Sequence, residues 1–180
     1  MIKAAFLDRD GVINKEIDYL YKIDDFEFTE GCIDGLKHLQ DAGFSLFVVT
    51  NQSGIGRGYY TPADYQRLTD WYTEQLAQQQ ITIVANRYCP HHPEDAVGAF
   101  KTHCQCRKPK PGMLIDLAQC FAIDLDASII IGDKLSDVQA GIAAGVGSQY
   151  LVRTGHPLPE GIEQRYPVFD TVLDVGLSLR

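Results

Sequence analysis

Positive charge is scarce in this chain of 180 residues. Sixteen lysines and arginines face twenty-four acids, giving a net charge of −8. That balance excludes a general nucleic-acid binder, which needs a basic face. An anionic ligand would have to be met by a local group of cations and a metal. Long apolar runs are missing too: none approaches the roughly 18–20 residues of a membrane span. The N-terminus enters strand pattern directly, with no apolar signal core or cleavage site, so a cytoplasmic protein without membrane attachment is expected. The five cysteines are too few for a secreted disulfide scaffold. Repeats, low-complexity segments and linkers are absent. With 45% hydrophobic and 10% aromatic residues, residues 1–180 are expected to form a single domain with a substantial core and to act as a monomer.

What is present is concentrated at the ends of apolar runs. Ile2 to Leu7 reads as a buried strand and stops at Asp8-Arg9-Asp10-Gly11. Side chains at i and i+2 of an extended segment leave on one face, so Asp8 and Asp10 converge beyond the strand. Two acids that close repel unless a cation or a proton separates their states. A hard divalent ion such as Mg²⁺ takes oxygen ligands of this kind. Taken alone, Asp-Gly after a strand is also ordinary turn chemistry.

Further along, a long polar loop from Asn14 to Thr29 carries Glu16, Asp18, Tyr19 and Tyr21, and loops of that length often hold binding residues. A helix is predicted over Cys32–Ala42 and a second strand over Phe44–Val49. That strand ends in Thr50-Asn51-Gln52-Ser53-Gly54-Ile55-Gly56-Arg57-Gly58, whose backbone N–H groups can wrap an anion, although the Walker Gly-Lys-Ser/Thr is missing. Thr61-Pro62 opens a long helix with a Tyr65, Leu68, Tyr72 and Leu76 stripe. Strand character over Ile81–Tyr88, a helix from Pro111 to Phe121, and a strand over Ser128–Ile131 ending at Asp133 follow. Ser136 is placed to cap the next helix, and Gln149–Val152 is a further strand. The tail after Arg153 holds an apolar Val168–Val175 that can dock as a last element.

Strands alternating with helices predict a doubly wound, Rossmann-like parallel α/β sheet. Ligands of such sheets bind outside the carboxyl ends of the strands. Asp8 and Asp10, Thr50 and Asp133 each fall at such an end, which favours a site over a set of turns.

With these residues assembled, the chain resembles the haloacid dehalogenase superfamily of phosphotransferases. The matching motifs are Asp8-Arg9-Asp10-Gly11, Thr50-Asn51, Lys108, and Gly132-Asp133-Lys134-Leu135-Ser136-Asp137. Within it, the chain looks like the zinc-containing branch of D-glycero-D-manno-heptose 1,7-bisphosphate 7-phosphatases and histidinol-phosphate phosphatases. Gln52-Ser53-Gly54 and Arg57-Gly58 resemble the heptose enzymes. The likeness runs from about Ala5 to Val152, and the tail adds little. No large insertion follows either of the first two motifs, so a cap domain is not expected.

Cys89-x-His91 and, after twelve intervening residues, Cys104-x-Cys106 provide three thiolates and an imidazole. That is a complete tetrahedral set, the mark of a structural zinc in a stabilised loop. His92 is an alternative to His91, and the family's Cys-x-His pattern favours His91. Cys32 and Cys120 read as core cysteines. Because Arg107 and Lys108 follow Cys106 directly, such a zinc would fix two cations at the rim of the site.

The resemblance implies the following roles. Asp8 is the nucleophile, and Asp10 the acid and base. Thr50 and Lys108 contact the phosphoryl oxygens. Mg²⁺ is held by Asp8, the backbone carbonyl of Asp10, and Asp133. The substrate, a sugar bisphosphate, is read by Glu16, Ile17, Asp18, Tyr19, Asn51, Gln52, Ser53, Arg57, Arg107 and Lys134. Asp137 orients Lys134 or a metal-bound water. The implied activity is removal of the C7 phosphate of heptose 1,7-bisphosphate, a step toward nucleotide-activated heptose and lipopolysaccharide core precursors. Histidinol phosphate is the alternative substrate. A zinc-stabilised binding module fits poorly with the full acid set and the negative charge.

Overall fold

The structure, a computed structural model, describes residues 1–179. Six strands form one parallel sheet: β1 (Ala4–Leu7), β2 (Ser45–Asn51), β3 (Ile83–Cys89), β4 (Ile129–Gly132), β5 (Ser148–Val152) and β6 (Val168–Phe169), in the order β3-β2-β1-β4-β5-β6. The α-helices are α1 (Cys32–Asp41), α2 (Ser53–Gly56), α3 (Pro62–Gln78), α4 (Gly112–Phe121), α5 (Leu135–Ala144) and α6 (Val172–Ser178), with short 3₁₀ turns at Ile23–Asp25, Gly98–Phe100 and Ile162–Gln164. This is the doubly wound sheet that the strand and helix alternation predicts.

The period-2 geometry of β1 explains the two layers of core. Ala5 and Leu7 join Leu46, Val48 and Ile131 beneath Leu36 of α1, Leu68 and Leu76 of α3, and Val175 of α6. Ala4 and Phe6 face the other way, with Phe47, Val49 and Ile130 against Met113, Leu114 and Leu117 of α4 and Ala140 of α5. Both faces are covered, so the central strands read as continuous apolar runs rather than alternating ones. The Tyr65, Leu68, Tyr72 and Leu76 stripe of α3 is buried. Thr61 and Asp64 exchange hydrogen bonds in a capping box at that helix's start.

The tail docks more closely than its sequence suggests. α6 lies on α1 at Gly35, where a Cβ would come within 2.6 Å of the Val172 backbone. Only a glycine allows that approach.

From β1 the chain steps outward through β2 to β3, then returns to place β4 on the other side of β1. The crevice between the carboxyl ends of β1 and β4 is therefore a switch point, where such sheets bind ligands. At that edge lie the loop carrying Glu16 to Leu20 and the short helix α2.

Candidate active site

At the switch point lies a cavity of about 520 Å³ lined by Asp8, Asp10, Glu16, Ile17, Asp18, Tyr19, Asn51, Gln52, Ser53, Arg57, Arg107, Lys108, Lys134, Ser136, Asp137 and His156, among others. Thr50 and Asp133, both fully buried, do not line it.

Gly11 turns the chain after β1 at φ +85°, and the Arg9 N–H bonds Asp8 Oδ1 at 2.8 Å. Lys108 Nζ lies 3.1 Å from the same oxygen and 2.6 Å from Asp137 Oδ1, and it also donates to the Val49 carbonyl at 2.7 Å. Burial alone would depress this ammonium, but Asp137 and Asp8 more than offset it and hold it above its ordinary value. Asp8 is pushed up to about 6 by burial and by the Asp137 charge, with Lys108 opposing.

Asp10 is held by its neighbours as an acceptor. Arg9 Nη2 reaches it at 2.9 Å, Asn14 Nδ2 at 3.0 Å and Gln52 Nε2 at 2.9 Å. Arg9 is fully buried and also donates to the Leu20 carbonyl at 2.9 Å. Gln52 donates a second bond to Thr50 Oγ1 at 2.8 Å and accepts one from the Tyr60 hydroxyl. Its amide therefore orients the two side chains beneath the pocket instead of reaching outward. Asn51 is similarly committed. It accepts the Lys108 N–H and donates to the Lys108 carbonyl, both at 3.0 Å, clamping the lysine to the end of β2. Arg57 lines the pocket beside the Tyr19 ring and pairs with Asp95 at 3.2 Å.

Asp137 departs from the sequence expectation. Its Oδ1 takes Lys108, while its Oδ2 accepts the backbone N–H groups of Asp133 and Lys134 at 3.2 and 3.1 Å. It orients Lys108, not the Lys134 side chain. It also satisfies the start of α5, which begins at Leu135, so Ser136 is not the cap.

Ligand oxygens of Asp8, Asp133 and Asp137 lie within 4.8 Å of one another. Both Asp137 oxygens are occupied, which leaves Asp8 and Asp133 as the open pair. Asp133 Oδ2 takes the His156 N–H at 2.9 Å and His156 Nδ1 at 2.6 Å, but Oδ1 is buried with no partner. Three clustered carboxylates faced by one ammonium, with one bare buried oxygen, fit a hard divalent cation.

The sulfurs of Cys89, Cys104 and Cys106 and the Nδ1 of His91 form the second cluster. The S–S separations of 3.0, 3.4 and 3.5 Å and the S–N separations of 3.4 and 3.6 Å are too long for disulfides. They approach the roughly 3.8 Å edge of a tetrahedron with metal–sulfur bonds near 2.3 Å. Burial pushes the Cys89 and Cys106 thiols up, whereas at Cys104 burial is outweighed by the Arg107 N–H and the neighbouring thiols, which hold the thiol below its ordinary value; a bound cation would hold all three ionised. His92 is otherwise engaged: its Nδ1 accepts the Glu94 and Asp95 N–H groups at 3.2 and 2.8 Å. The Arg107 N–H points at Cys104 Sγ, 3.4 Å away, which ties the pocket rim to the cluster.

Residues 105–175 match a family profile described as HAD-hydrolase-like. The chain is 50% identical over 162 residues to a D-glycero-alpha-D-manno-heptose-1,7-bisphosphate 7-phosphatase of Photorhabdus laumondii, covering 90% of this chain and 88% of that one. It is 45% identical over 180 residues to the D-glycero-beta-D-manno-heptose-1,7-bisphosphate 7-phosphatase of Escherichia coli K12, covering 99% and 94%. The chain belongs to the haloacid dehalogenase-like phosphatases, in their heptose 1,7-bisphosphate 7-phosphatase branch. A solved member, the D,D-heptose 1,7-bisphosphate phosphatase of B. bronchiseptica complexed with magnesium and phosphate, superposes with a TM-score of 0.82 at 34% identity over 99% of this chain and 98% of that one.

For a phosphatase of this branch, the likeness runs past Val152 to the end of the chain, further than the motifs alone imply. The tail matters locally as well, because its first residues, Thr154 to His156, pack on the site. His156 and Arg9 are the site residues that sequence reasoning missed. The available signal was a polar Arg-Thr-Gly-His run just past a strand, like those after β1, β2 and β4.

Proposed function

We propose that this phosphatase removes the C7 phosphate of D-glycero-D-manno-heptose 1,7-bisphosphate through a phosphoaspartyl intermediate on Asp8. The step belongs to the cytoplasmic supply of nucleotide-activated heptose for lipopolysaccharide core precursors. The observation that carries the reading is the Asp8 carboxylate, 3.1 Å from the Lys108 ammonium, in a pocket that also holds Arg57, Arg107 and Lys134. A substrate with two phosphates gives those outer cations an anion to meet. Histidinol phosphate, with one phosphate, does not. The 50% and 45% identical relatives are named for the heptose substrate.

Asp8 attacks the phosphorus, and the bond to the sugar oxygen breaks as the Asp8 oxygen–phosphorus bond forms. Asp10 gives its proton to the leaving sugar oxygen. Asp10 then takes a proton from the water that attacks the same phosphorus, which frees Asp8 and releases inorganic phosphate. Lys108 lines the pocket where negative charge builds on the phosphoryl oxygens, and the Thr50 hydroxyl, buried behind that lining and held by the Gln52 amide at 2.8 Å, would turn to meet them. Asp8, the Asp10 backbone carbonyl and Asp133 would hold Mg²⁺, whose charge offsets that of the two anions brought together. Cys89, His91, Cys104 and Cys106 would hold a structural Zn²⁺ that supports Arg107 and Lys108.

The test is Mg²⁺-dependent kcat/KM across both anomers of heptose 1,7-bisphosphate, histidinol phosphate and fructose 1,6-bisphosphate. The reading requires one heptose anomer to lead. A lead by histidinol phosphate would contradict it.

A further inference from the structure

The loop leaving β5, Thr154-Gly155-His156, takes no part in the chemistry derived so far. We propose that His156 is a positioning residue: it fixes the Asp133 carboxylate so that one oxygen is held and the other is presented to the catalytic cation. The inference rests on the reading of Asp133 as a cation ligand.

Asp133 is fully buried, and its two oxygens differ sharply. Oδ2 receives both the His156 N–H at 2.9 Å and His156 Nδ1 at 2.6 Å, while Oδ1 has no partner. A buried carboxylate oxygen without a donor carries a desolvation cost that a bound cation would remove. The surroundings leave the carboxylate little room to turn. A Cβ at Gly11 would fall 2.2 Å from Oδ2, and one at Gly155 would fall 2.1 Å from it, so both turns press against the same oxygen. Thr154 Oγ1 donates to the Gly11 carbonyl at 2.7 Å, stapling the β5 loop to the β1 turn across the switch point.

The staple and the backbone N–H at position 156 would survive almost any side chain there. The imidazole alone supplies the second bond. To donate to a carboxylate, Nδ1 must carry the proton. The ring's other nitrogen then faces the pocket, 3.9 Å from Glu16 Oε1. Outer-sphere partners of this kind orient metal-ligating carboxylates.

The test is Mn²⁺ binding to the full chain as purified, followed by electron paramagnetic resonance of the free ion, so the readout does not depend on substrate or turnover. His156→Ala keeps the backbone bond and loses the ring. Its Mn²⁺ dissociation constant should rise by about 10- to 100-fold. His156→Asn places an amide N–H where Nδ1 was, and should recover most of that loss. The melting temperature without added cation should stay near the wild-type value in both. His156→Ala binding Mn²⁺ as tightly as wild type would overturn the proposal. So would equal weakening in both variants with a shared fall in melting temperature, the mark of a merely structural role. Asp133→Asn tests the reading underneath: if it binds Mn²⁺ as well as wild type, Asp133 is not a ligand and that reading fails first.

Discussion

The Asp137 carboxylate and the Lys108 ammonium meet at 2.6 Å with both side chains 2% exposed, across 29 residues of sequence. Losing Asp137 takes the nearer of two carboxylates from the Lys108 ammonium and leaves the Asp133 and Lys134 N–H groups without their acceptor, and breaking a buried pair costs about 3–5 kcal/mol. In a protein of this size that corresponds to roughly 6–20 °C of melting temperature. Asp137→Ala should show a fall in that range together with a loss of kcat, measured by thermal unfolding and steady-state kinetics. A large kcat loss at unchanged melting temperature would instead make Asp137 a direct participant in the chemistry.

Elemental analysis of purified protein should find about one zinc per chain. Cys104→Ser should lower melting temperature and activity together, because metal-binding energy in such a site is folding energy and the Arg107 N–H leans on that sulfur. A metal-free preparation with unchanged melting and activity would contradict the assignment.

Arg107→Ala separates reading of the second phosphate from reading of the first. A charge-assisted contact is worth roughly 1.5–3 kcal/mol, about ten- to a hundred-fold in kcat/KM. That loss should appear on heptose 1,7-bisphosphate and be nearly absent on p-nitrophenyl phosphate. Equal losses on both would assign Arg107 to the transferring phosphate.

Glu16 gives the pH dependence. Burial, with Asp10 and Asp133 adding and His156 and Lys134 opposing, pushes its carboxyl up to about 7 from 4.5. The folded state then binds more protons than the unfolded one between about pH 4.5 and 7, and stability falls as pH rises through that window. Glu16→Gln removes Glu16's share of the dependence and leaves that of Asp8, whose carboxyl is also raised. It should melt a few degrees above wild type at pH 7.5 and coincide with it near pH 5. A constant difference across the range would contradict the sign.

Much of this site could be read along the chain because its parts are local. The i, i+2 acids, the acid after Ile129–Ile131 and the two Cys-x-Cys/His pairs each lie within a few residues, where strand geometry and ligand count constrain them. What escaped reading depends on contacts between distant segments. Asn51 and Gln52 appear as substrate readers in sequence, yet the fold spends Asn51 on Lys108, 57 residues away, and Gln52 on Asp10, 42 residues away. His156 meets Asp133 only because β4 and β5 are neighbours, a pairing that their periodicity does not encode. Arg9 stands in the sequence only as the residue between two acids, and its burial against the Tyr65 ring, 56 residues away, is a contact that the motif does not encode.

The central claim is that Asp8 carries the phosphoryl group and Asp10 moves the protons. p-Nitrophenolate leaves without protonation, so Asp10→Asn should still form the intermediate on this substrate but lose about 10²- to 10⁴-fold in the water attack that needs a base. Rapid mixing of Asp10→Asn with p-nitrophenyl phosphate and Mg²⁺ should therefore give a burst of one nitrophenolate per site, then slow turnover. Mass spectrometry of the quenched protein should find the phosphoryl group on Asp8. The absence of a burst, or phosphate on any other residue, would contradict the account.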